Sequence, residues 1–289
     1  MPTVDRLLTP HTHDLGGFLV GRVLPHTERR MVGPFIFLDH MGPADMTAGQ
    51  AIDVRPHPHI GLSTLTYLFE GELFHRDSLG NAVEIVPGEV NWMTAGRGIA
   101  HSERTSQDER MHAHRVHGLQ CWVALPKPDE ETAPEFSHHA AGEIPCIAQK
   151  GTTIHLIAGE AYGKRSPVKV FSPLFYADVR LESGAVLALP DGYTDQAAYI
   201  IHGRILAGEF EAGPRTMMVF DRKSHVSVAA LEPSHVLIFG GEPFPEERHI
   251  WWNFVSSSKA RMEKAKADWK AGRFARIPGD DHEFIPLPE

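Results

Sequence analysis

The sequence predicts an all-β protein of two related β domains in tandem, followed by one α-helix near the C-terminus. Three observations predict this class: many short apolar runs, glycine and proline residues between them, and one sequence pattern that occurs in both halves. A chain of 289 residues is long enough for two domains of ordinary size. No glycine-rich nucleotide-binding motif follows any of the runs, which disfavours a nucleotide-binding α/β fold.

Twelve runs are predicted to be strands because they are rich in β-branched and aromatic residues and are bounded by Gly, Pro, Asn or Asp. Many short strands with turn residues between them are typical of sandwiches, jelly rolls and barrels. In chain order the runs are Gly17–Val23, Gly33–Leu38, Thr64–Leu68, Val83–Val86, Val90–Met93, Leu119–Leu125, Thr153–Ala158, Leu174–Arg180, Ala185–Leu189, Ala197–Ile201, Met217–Phe220 and Val236–Phe239.

The pattern that occurs twice is a strand, a turn glycine and a second strand. TYLFEGEL at Thr66–Leu73 resembles AYIIHGRI at Ala198–Ile205, and the two turn glycines lie about half the chain apart. A Pro-, Glu- and Ala-rich segment, Pro126–Pro145, separates the two halves. We therefore predict an N-terminal domain over residues 1–135 and a C-terminal domain over residues 136–289.

Only the last part of the chain predicts a helix. Ser256–Ser258 offers N-cap residues, and the segment 259–274 consists of helix-forming residues. Met262, Ala265 and Trp269 recur on one face of that helix. The segment is also basic, so a nucleic-acid-binding helix is one interpretation, but a solvated outer face is far commoner.

Composition narrows the classes of partner. The net charge of −9, from 28 basic and 37 acidic residues, argues against direct nucleic-acid binding. No apolar stretch approaches the roughly 20 residues needed to cross a bilayer, and the N-terminus lacks a secretory pattern. We expect a cytoplasmic protein, or a nuclear one if the source is eukaryotic. Cys121 and Cys146 are too few for a disulfide framework or a zinc–cysteine cluster.

The strongest chemical signal is a pair of motifs with alternate metal-ligating residues. His57 and His59 are separated by a proline, and His101 and Glu103 by a serine. Residues i and i+2 of an extended chain face the same side, so each motif presents both of its side chains to one face. Three imidazoles and one carboxylate suit a divalent transition metal ion and leave coordination positions open.

Spacing alone is not specific, because this chain has 19 histidines and several share that spacing. The other histidines receive structural interpretations: surface residues, a polar turn before a strand, and a solvent-facing boundary segment. These are, in that order, His11 and His13, then His112, His114 and His117, then His138 and His139. Two glycines support the interpretation of the second motif as a ligand pair. Gly96 and Gly98 precede His101, where a tight turn or a positive φ is expected.

The two motifs together resemble the metal motif of the pirin family, a group of bicupins. The segments that carry the resemblance are PHPHIG (residues 56–61), WMTAGRGIAHSE (92–103), GPFIFLDHMGP (33–43), HGLQCWVALP (117–126) and GEPFPEERHIWWNFV (241–255). The resemblance covers nearly the whole chain. It implies two cupin domains, each a jelly-roll β-barrel, with metal in the N-terminal one alone. It also implies that His57, His59, His101 and Glu103 are the ligands.

Two positions depart from the general cupin pattern. Ser63 stands where a glutamate is expected after the first motif, and Thr94 replaces a proline before the glycines of the second. Glu70 is too far along the strand to replace that glutamate and is interpreted as a turn residue. The pirin-type ligand set remains intact.

The C-terminal half lacks the first motif. If Gly203 corresponds to Gly71, the two histidine positions are occupied by Leu189 and Asp191. We therefore expect the second cupin domain to bind no metal. Its isolated histidines and two tyrosines are predicted to be structural; these are His202, His225, His235, Tyr193 and Tyr199.

The resemblance implies a quercetin 2,3-dioxygenase activity, in which O2 opens the heterocyclic ring of a flavonol and carbon monoxide is released. The expected cofactor is Fe(II), with Mn, Ni, Cu, Co and Zn as alternatives, and Glu103 is the candidate general base. The expected partners are a small aromatic, flavonol-like substrate and O2. The alternative is a metal- or redox-responsive regulator that binds a transcription factor or an enzyme. A third interpretation, a structural cupin without metal, would leave four ligand-type side chains unused.

Overall fold

The structure is a computed structural model and describes residues 4–14 and 18–288. Of the chain, 51% lies in strands and 8% in helices, which confirms the predicted all-β class. The strands are β1 (Val4–Leu8), β2 (His11–Asp14), β3 (Leu19–Leu24), β4 (Phe35–Met46), β5 (Asp53–His59), β6 (Leu62–Glu70), β7 (Leu73–Asp77), β8 (Ala82–Ile85), β9 (Val90–Thr94), β10 (Ile99–Arg104), β11 (His114–Ala124), β12 (Glu135–His139), β13 (Cys146–Gln149), β14 (Thr152–Ala161), β15 (Lys164–Arg165), β16 (Leu174–Leu181), β17 (Val186–Ala188), β18 (Asp195–His202), β19 (Ile205–Ala207), β20 (Phe210–Ala212), β21 (Met217–Phe220), β22 (Ser227–Ala230), β23 (Ser234–Gly241), β24 (His249–Trp251) and β25 (Phe254–Ser256).

The helical segments are few and mostly short. They are α1 (Gln107–Arg110), α2 (Lys259–Lys270) and single 3₁₀ turns at Lys127–Asp129 and Ala141–Glu143. None of the helices in the described part of the chain is long and apolar enough to cross a membrane.

Every predicted strand run overlaps an observed strand. The first run begins at Gly17, which lies outside the described residues, and its remainder overlaps β3. The predicted boundary segment Pro126–Pro145 contains one strand, β12, which pairs antiparallel with β9. The change from one contact-defined unit to the other, after residue 141, falls within this segment. Sequence alone does not reveal β12, since Glu135–His139 has little apolar character.

Contacts divide the chain into two discontinuous units. Unit A comprises the described parts of 1–11, 21–38 and 142–244; unit B comprises those of 12–20, 39–141 and 245–289. These units differ from a simple division after residue 135, because both ends of the chain lie with the opposite half. At the N-terminus, β1 pairs antiparallel with β21. At the C-terminus, α2 belongs to unit B and not to the unit that contains most of the C-terminal half.

Unit A contains two antiparallel sheets. The larger has the order β1-β21-β18-β23-β16-β14-β13, with β15 paired to β14, and the smaller has the order β17-β22-β19-β20. Alternate residues of the strands, such as Phe175, Ala177 and Val179 of β16, contribute to one buried apolar cluster. Two sheets that bury alternate side chains between them form a sandwich of the jelly-roll kind.

Unit B also contains two main sheets, with the orders β12-β9-β6-β11-β4-β3-β2 and β5-β10-β7-β8, plus the hairpin β24-β25. The division between the units falls within β3 and β4. An apolar cluster fills part of unit B; its buried members are Phe18, Val20, Met41, Ile52, Leu68, Leu73, Ile85 and Val116. The two motif-bearing strands, β5 and β10, are neighbours in the smaller sheet, so the fold brings the two motifs together.

The internal sequence repeat corresponds to a structural one. Gly71 directly follows β6 with φ +81°, and Gly203 directly follows β18 with φ +78°. A Cβ atom at Gly71 would lie 2.3 Å from the carbonyl oxygen of Arg115, and one at Gly203 would lie 2.6 Å from that of Pro233. Both turns therefore require glycine for its conformation and for its lack of a side chain.

The predicted C-terminal helix is confirmed but is shorter than expected. Ser258 caps α2 by accepting a hydrogen bond from the Arg261 amide, and the helix ends at Lys270, before Gly272. Met262 and Ala265 are buried against Ile60 and Phe254, with Trp269 partly buried beside them. Its basic residues pair with acidic neighbours, as Lys264 does with Asp268 and Lys266 with Glu263, which favours the solvated-face interpretation.

A buried ion pair fixes the segment between β23 and α2 within unit B. The Arg248 side chain is 0% exposed and its Nε atom lies 3.1 Å from Glu130 Oε1. The Glu130 carboxylate also accepts hydrogen bonds from Ser256 Oγ at 3.0 Å and from the Ser257 amide at 2.8 Å. Removal of Glu130 would leave the buried Arg248 with only the more distant and partly exposed carboxylate of Glu246, at 3.7 Å.

We therefore expect Glu130→Gln to lower the free energy of unfolding of unit B by about 3 kcal/mol, because the buried guanidinium of Arg248 would lose its nearest carboxylate. Glu131→Gln is a matched control. Its carboxylate pairs with Arg261 but is 56% exposed, so a loss below about 1 kcal/mol is expected. Urea denaturation followed by tryptophan fluorescence measures both variants. Equal stability of the two variants would contradict the role given to the buried pair.

Candidate metal centre

The centre is built on the antiparallel pair β5 and β10. His101 lies opposite His57, and Ile99 opposite His59. The register shifts next to this point, because Glu103 lies opposite Val54. Two steps along β10 thus correspond to three along β5, so β5 contains a bulge between Val54 and His57. Bulges of this kind redirect side chains beside functional sites.

Local sequence explains why β5 can carry the bulge. It is the edge strand of the smaller sheet of unit B, and Pro56 and Pro58 have no amide hydrogen to contribute to a ladder. The two prolines also favour extended backbone at the residues before them. Gly96 and Gly98, in the turn before β10, have φ values of +50° and +147°, which confirms the predicted need for positive φ.

The three histidines form one compact buried group. Their ring centroids are separated by 5.0 Å for His57 and His59, 4.3 Å for His57 and His101, and 5.0 Å for His59 and His101. One ligand nitrogen from each ring lies within 4.8 Å of the other two. The side chains are nearly inaccessible to solvent, with His101 fully buried. Such a group could hold a metal ion.

Two of the imidazoles are oriented by backbone carbonyl groups. His57 Nδ1 donates to the carbonyl oxygen of Arg55 at 2.8 Å, and His59 Nδ1 donates to that of Asn253 at 3.1 Å. A carbonyl oxygen only accepts hydrogen bonds, so Nδ1 carries the hydrogen in both rings. In a neutral ring, Nε2 then carries a lone pair, and it is the free ligand atom.

The third imidazole is oriented by a relay of side chains. His101 Nδ1 lies 3.4 Å from His75 Nδ1, and His75 Nε2 lies 3.1 Å from Asp77 Oδ2. Burial alone would raise the pKa of Asp77, but hydrogen bonds from His75 and Asn81 outweigh it and hold that pKa below its ordinary value. The ionised carboxylate accepts the Nε2 hydrogen of His75, so His75 Nδ1 accepts from His101. The Nε2 atom of His101 is thereby left with its lone pair.

These tautomers fit a metal ion. His59 Nε2 and His101 Nε2 are 3.1 Å apart, and neither has a hydrogen to share, so a cation between them would relieve the repulsion of their lone pairs. Burial lowers the pKa of His57 to about 4 and lowers the pKa values of His59 and His101 well below the ordinary value. The rings are therefore neutral near pH 7, which is the form that binds metals.

Glu103 differs from the three histidines. It lies on the same strand as His101, but among the described residues the ligand atoms within 4.8 Å of one another come from histidines alone. Its Oε1 atom accepts a hydrogen bond from Thr66 Oγ1 at 2.8 Å, and Gln120 Nε2 lies 3.4 Å from Oε2. Burial raises the pKa of Glu103. Its role as a fourth ligand stays a prediction.

The two residues that depart from the general cupin pattern, Ser63 and Thr94, are hydrogen-bonded to each other. Ser63 lies opposite Thr94 in the β6–β9 pair, and their hydroxyl oxygens are 3.0 Å apart. Both residues are buried. Thr66, farther along β6, is the residue of this strand that contacts Glu103. The interpretation of Glu70 as a turn residue agrees with its position at the end of β6.

The other histidines mostly agree with the structural interpretations. His11 and His13 lie in the exposed strand β2, and His235 is buried in a hydrogen bond with Asp178. His114 and His117 differ slightly, because they belong to β11 itself and not to a turn before it.

The expectation for His138 and His139 was wrong, because both belong to β12 and are partly buried. His138 Nδ1 lies 2.8 Å from Asn91 Oδ1 on the paired strand β9. The cause is the pairing of β12 with β9, which an apolar-pattern search does not detect.

Sequence reasoning missed two contributors to the centre. His75 and Asp77 form a third i, i+2 pair of ligand-type residues within β7, and this spacing was a detectable signal. Asn253 contributes only its carbonyl oxygen, which any residue possesses, so the sequence holds no sign of it.

Two jelly-roll units and a buried three-histidine centre in one of them define a bicupin protein. Comparison with known families agrees: the Pirin family model matches residues 17–123, and the model of the Pirin C-terminal cupin domain matches residues 176–275. A pirin-like protein of Caulobacter vibrioides is 55% identical over 99% of this chain and 100% of its own length. The chain belongs to the pirin family.

Two further relatives are informative. Pirin of Homo sapiens is 31% identical, with 88% of this chain and 87% of that protein covered. The crystal structure of quercetin 2,3-dioxygenase from Acinetobacter baumannii superposes with a TM-score of 0.91 at 31% identity, covering 98% of this chain and 95% of that one. The fold and the family are therefore secure, and relatives of this chain include a protein named as a dioxygenase.

The relay behind His101 leads to a prediction about metal affinity. His75→Leu removes the acceptor for His101 Nδ1, so the ring loses its fixed tautomer and affinity should fall about 10- to 100-fold. His114→Leu, a partly buried histidine of β11 that hydrogen-bonds outside the centre, is the control and should retain wild-type affinity. Competition with a chromophoric chelator measures both. Wild-type affinity in His75→Leu would show that the relay does not orient the ligand.

Burial of neutral histidines also predicts a pH dependence. The pKa of His57 is about 4 in the folded protein and about 6.5 in an unfolded chain, so between these values the unfolded state binds more protons. The stability of the metal-free protein should therefore be complete above about pH 6.5 and fall as the pH decreases toward 4. Thermal unfolding at several pH values measures this. His57→Phe should flatten the curve, whereas His225→Phe, at an exposed site, should leave it unchanged.

Proposed function

We propose that the protein is a metal-dependent dioxygenase that opens the heterocyclic ring of flavonols such as quercetin with O2 and releases carbon monoxide. The observation that carries the proposal is the convergence of three neutral imidazoles, each with its Nε2 lone pair free, beside a buried carboxylate. The relative named quercetin 2,3-dioxygenase supports the class of reaction. Both atoms of O2 enter the ring-opened product, and one ring carbon leaves as carbon monoxide.

In this proposal His57, His59 and His101 would hold one divalent transition metal ion, with Glu103 as a fourth ligand or a close neighbour. A bound ion of this kind supplies Lewis acidity toward a flavonol hydroxyl and redox chemistry toward O2. Fe(II) is the ion we propose, and the donor set also accepts Mn, Ni, Cu, Co or Zn. The backbone carbonyl groups and the relay through His75 keep the imidazoles in the tautomer that binds.

Glu103 acts as the general base on the flavonol hydroxyl. Its raised pKa brings the carboxyl closer to the operating pH, where a base both accepts and returns a proton efficiently. Thr66 holds Oε1 at 2.8 Å, whereas Oε2 makes only a 3.4 Å contact with Gln120. The less strongly bonded oxygen, Oε2, is therefore the atom that receives the hydroxyl proton.

Aromatic side chains border the centre and suit a planar aromatic substrate. Trp122, which is 6% exposed, meets the His59 ring edge-to-face with centroids 5.0 Å apart. Phe136 stacks on His75 at 4.4 Å. Trp122 thus covers part of the His59 ring with apolar surface, and Phe136 covers part of the His75 ring.

The proposal predicts that Glu103→Gln retains one equivalent of metal but loses turnover by about 100-fold or more, because the base is removed while the three imidazoles remain. The measurement is anaerobic loading with Fe(II), followed by oxygen uptake, loss of quercetin absorbance and trapping of carbon monoxide. Glu70→Gln is the matched control. That carboxylate is partly exposed, pairs with Arg115, and should not affect turnover.

Two outcomes would contradict parts of the proposal. Retention of one equivalent of metal by a folded His101→Ala variant would contradict the site assignment. Tight metal binding by the wild-type protein without oxygen uptake would contradict the flavonol dioxygenase function. The second outcome would favour the alternative prediction, a metal- or redox-responsive regulator, and the search would turn to protein partners.

A further inference from the structure

The last 17 described residues, 272–288, follow α2 without forming a helix or strand. We call this segment the C-terminal strap. It contacts both strands that bear the histidine group, at positions adjacent to the proposed ligands. It is also attached to α2, because the Trp269 indole donates to the carbonyl oxygen of Ile285 at 2.9 Å and packs edge-to-face against Phe284.

The first contact is at the bulge of β5. The Ile285 amide donates to the carbonyl oxygen of Pro56 at 2.8 Å. Pro56 immediately precedes His57 and lies within the bulge, where the ladder to β10 is interrupted. An edge strand has no second neighbour in its sheet, so the strap provides a hydrogen bond that the sheet cannot.

The second contact is at the end of β10. Arg104 immediately follows Glu103, and its guanidinium binds Asp280 through two hydrogen bonds, from Nε at 2.7 Å and from Nη2 at 2.9 Å. A third bond joins Nη2 to Glu283 at 3.0 Å. The pair is mostly removed from solvent, with Arg104 19% and Asp280 12% exposed. Bidentate pairs of arginine and carboxylate fix the relative orientation of the two groups and also stabilise their contact.

A third contact lies at the turn that leads into β10. Phe274 packs on Gly98, where a Cβ atom would lie only 3.0 Å from its ring. The strap therefore meets β10 at both ends and β5 at its bulge. Pro56 lies between Arg55 and His57, and the His57 ring is hydrogen-bonded to the carbonyl group of Arg55. A displacement of Pro56 would therefore move the His57 ring.

We propose that the C-terminal strap is a positioning element of the metal centre: it holds the β5 bulge and β10 at a fixed spacing and thereby slows release of the bound ion. The proposal rests on the proposed metal centre at His57, His59 and His101. Functional groups must be held within about 0.5 Å of their working geometry, and the bulge lacks the ladder bonds that would do this. Because strap docking and ion binding favour each other, each stabilises the other by the same free energy.

The test uses the full-length protein loaded with Zn(II), whose release to excess chromophoric chelator is followed by stopped-flow absorbance. The double variant Asp280→Asn with Glu283→Gln should release Zn(II) about fivefold faster or more. Asp281→Asn is the matched control, because Asp281 pairs with Arg276 at the surface and makes no bond to Arg104. Wild-type release rates in the double variant would overturn the proposal.

Hydrogen exchange on the wild-type protein gives a test that does not depend on a variant. Zn(II) binding should slow exchange of the Ile285 amide, since docking and binding are coupled, and unchanged exchange would overturn the proposal. The outcomes separate the two proposals. If wild-type protein binds no Zn(II), the strap and the centre both fail. If it binds Zn(II) and the release rates are equal, only the strap fails. If the rates differ but quercetin is not consumed, only the dioxygenase proposal fails.

Discussion

Three ring hydrogens determine the chemistry of the centre, because each is held by a neighbour that accepts it. The carbonyl groups of Arg55 and Asn253 accept hydrogen bonds from His57 and His59. The neutral His75 ring donates its one hydrogen to Asp77, so its other nitrogen accepts from His101. Each of the three buried rings then has a nitrogen lone pair, within a group whose ligand atoms lie within 4.8 Å of one another. In an apolar interior this arrangement is costly without a cation, so the orientation of the rings, more than their number, defines a metal centre.

The orientation of the imidazole rings depends on parts of unit B that are distant in sequence. Asn253 lies in the turn between β24 and β25, and the buried pair of Arg248 with Glu130 fixes the chain just before that hairpin. The strap then continues from α2 to the bulge of β5. The centre thus lies on strands of the N-terminal half, but the groups that hold it come in part from the C-terminal 45 residues.

Burial acts in opposite directions on the pKa values of the three imidazoles and of Glu103. It lowers the pKa values of the imidazoles and raises that of Glu103, so in both cases the neutral form gains. A neutral imidazole is ready to bind a metal, whereas a carboxyl must first lose its proton. The same low-dielectric surroundings therefore keep the histidines in the form that can bind a metal and keep the Glu103 carboxyl group protonated to a higher pH than usual.

The sequence by itself determined the all-β class, the capped C-terminal helix, the paired turn glycines and the presentation of each motif's two side chains to one face. Each follows from local rules: strand composition, N-capping by a serine of Ser256–Ser258, turn formation at Gly71 and Gly203, and alternation of side chains along a strand. Only the tertiary structure decided which chain ends join which unit and how the imidazoles are oriented. Pairing of β1 with β21 and the carbonyl group of Asn253 depend on contacts between residues far apart in sequence. Backbone carbonyl groups are alike at every position, so no residue pattern can identify the one that a histidine will use.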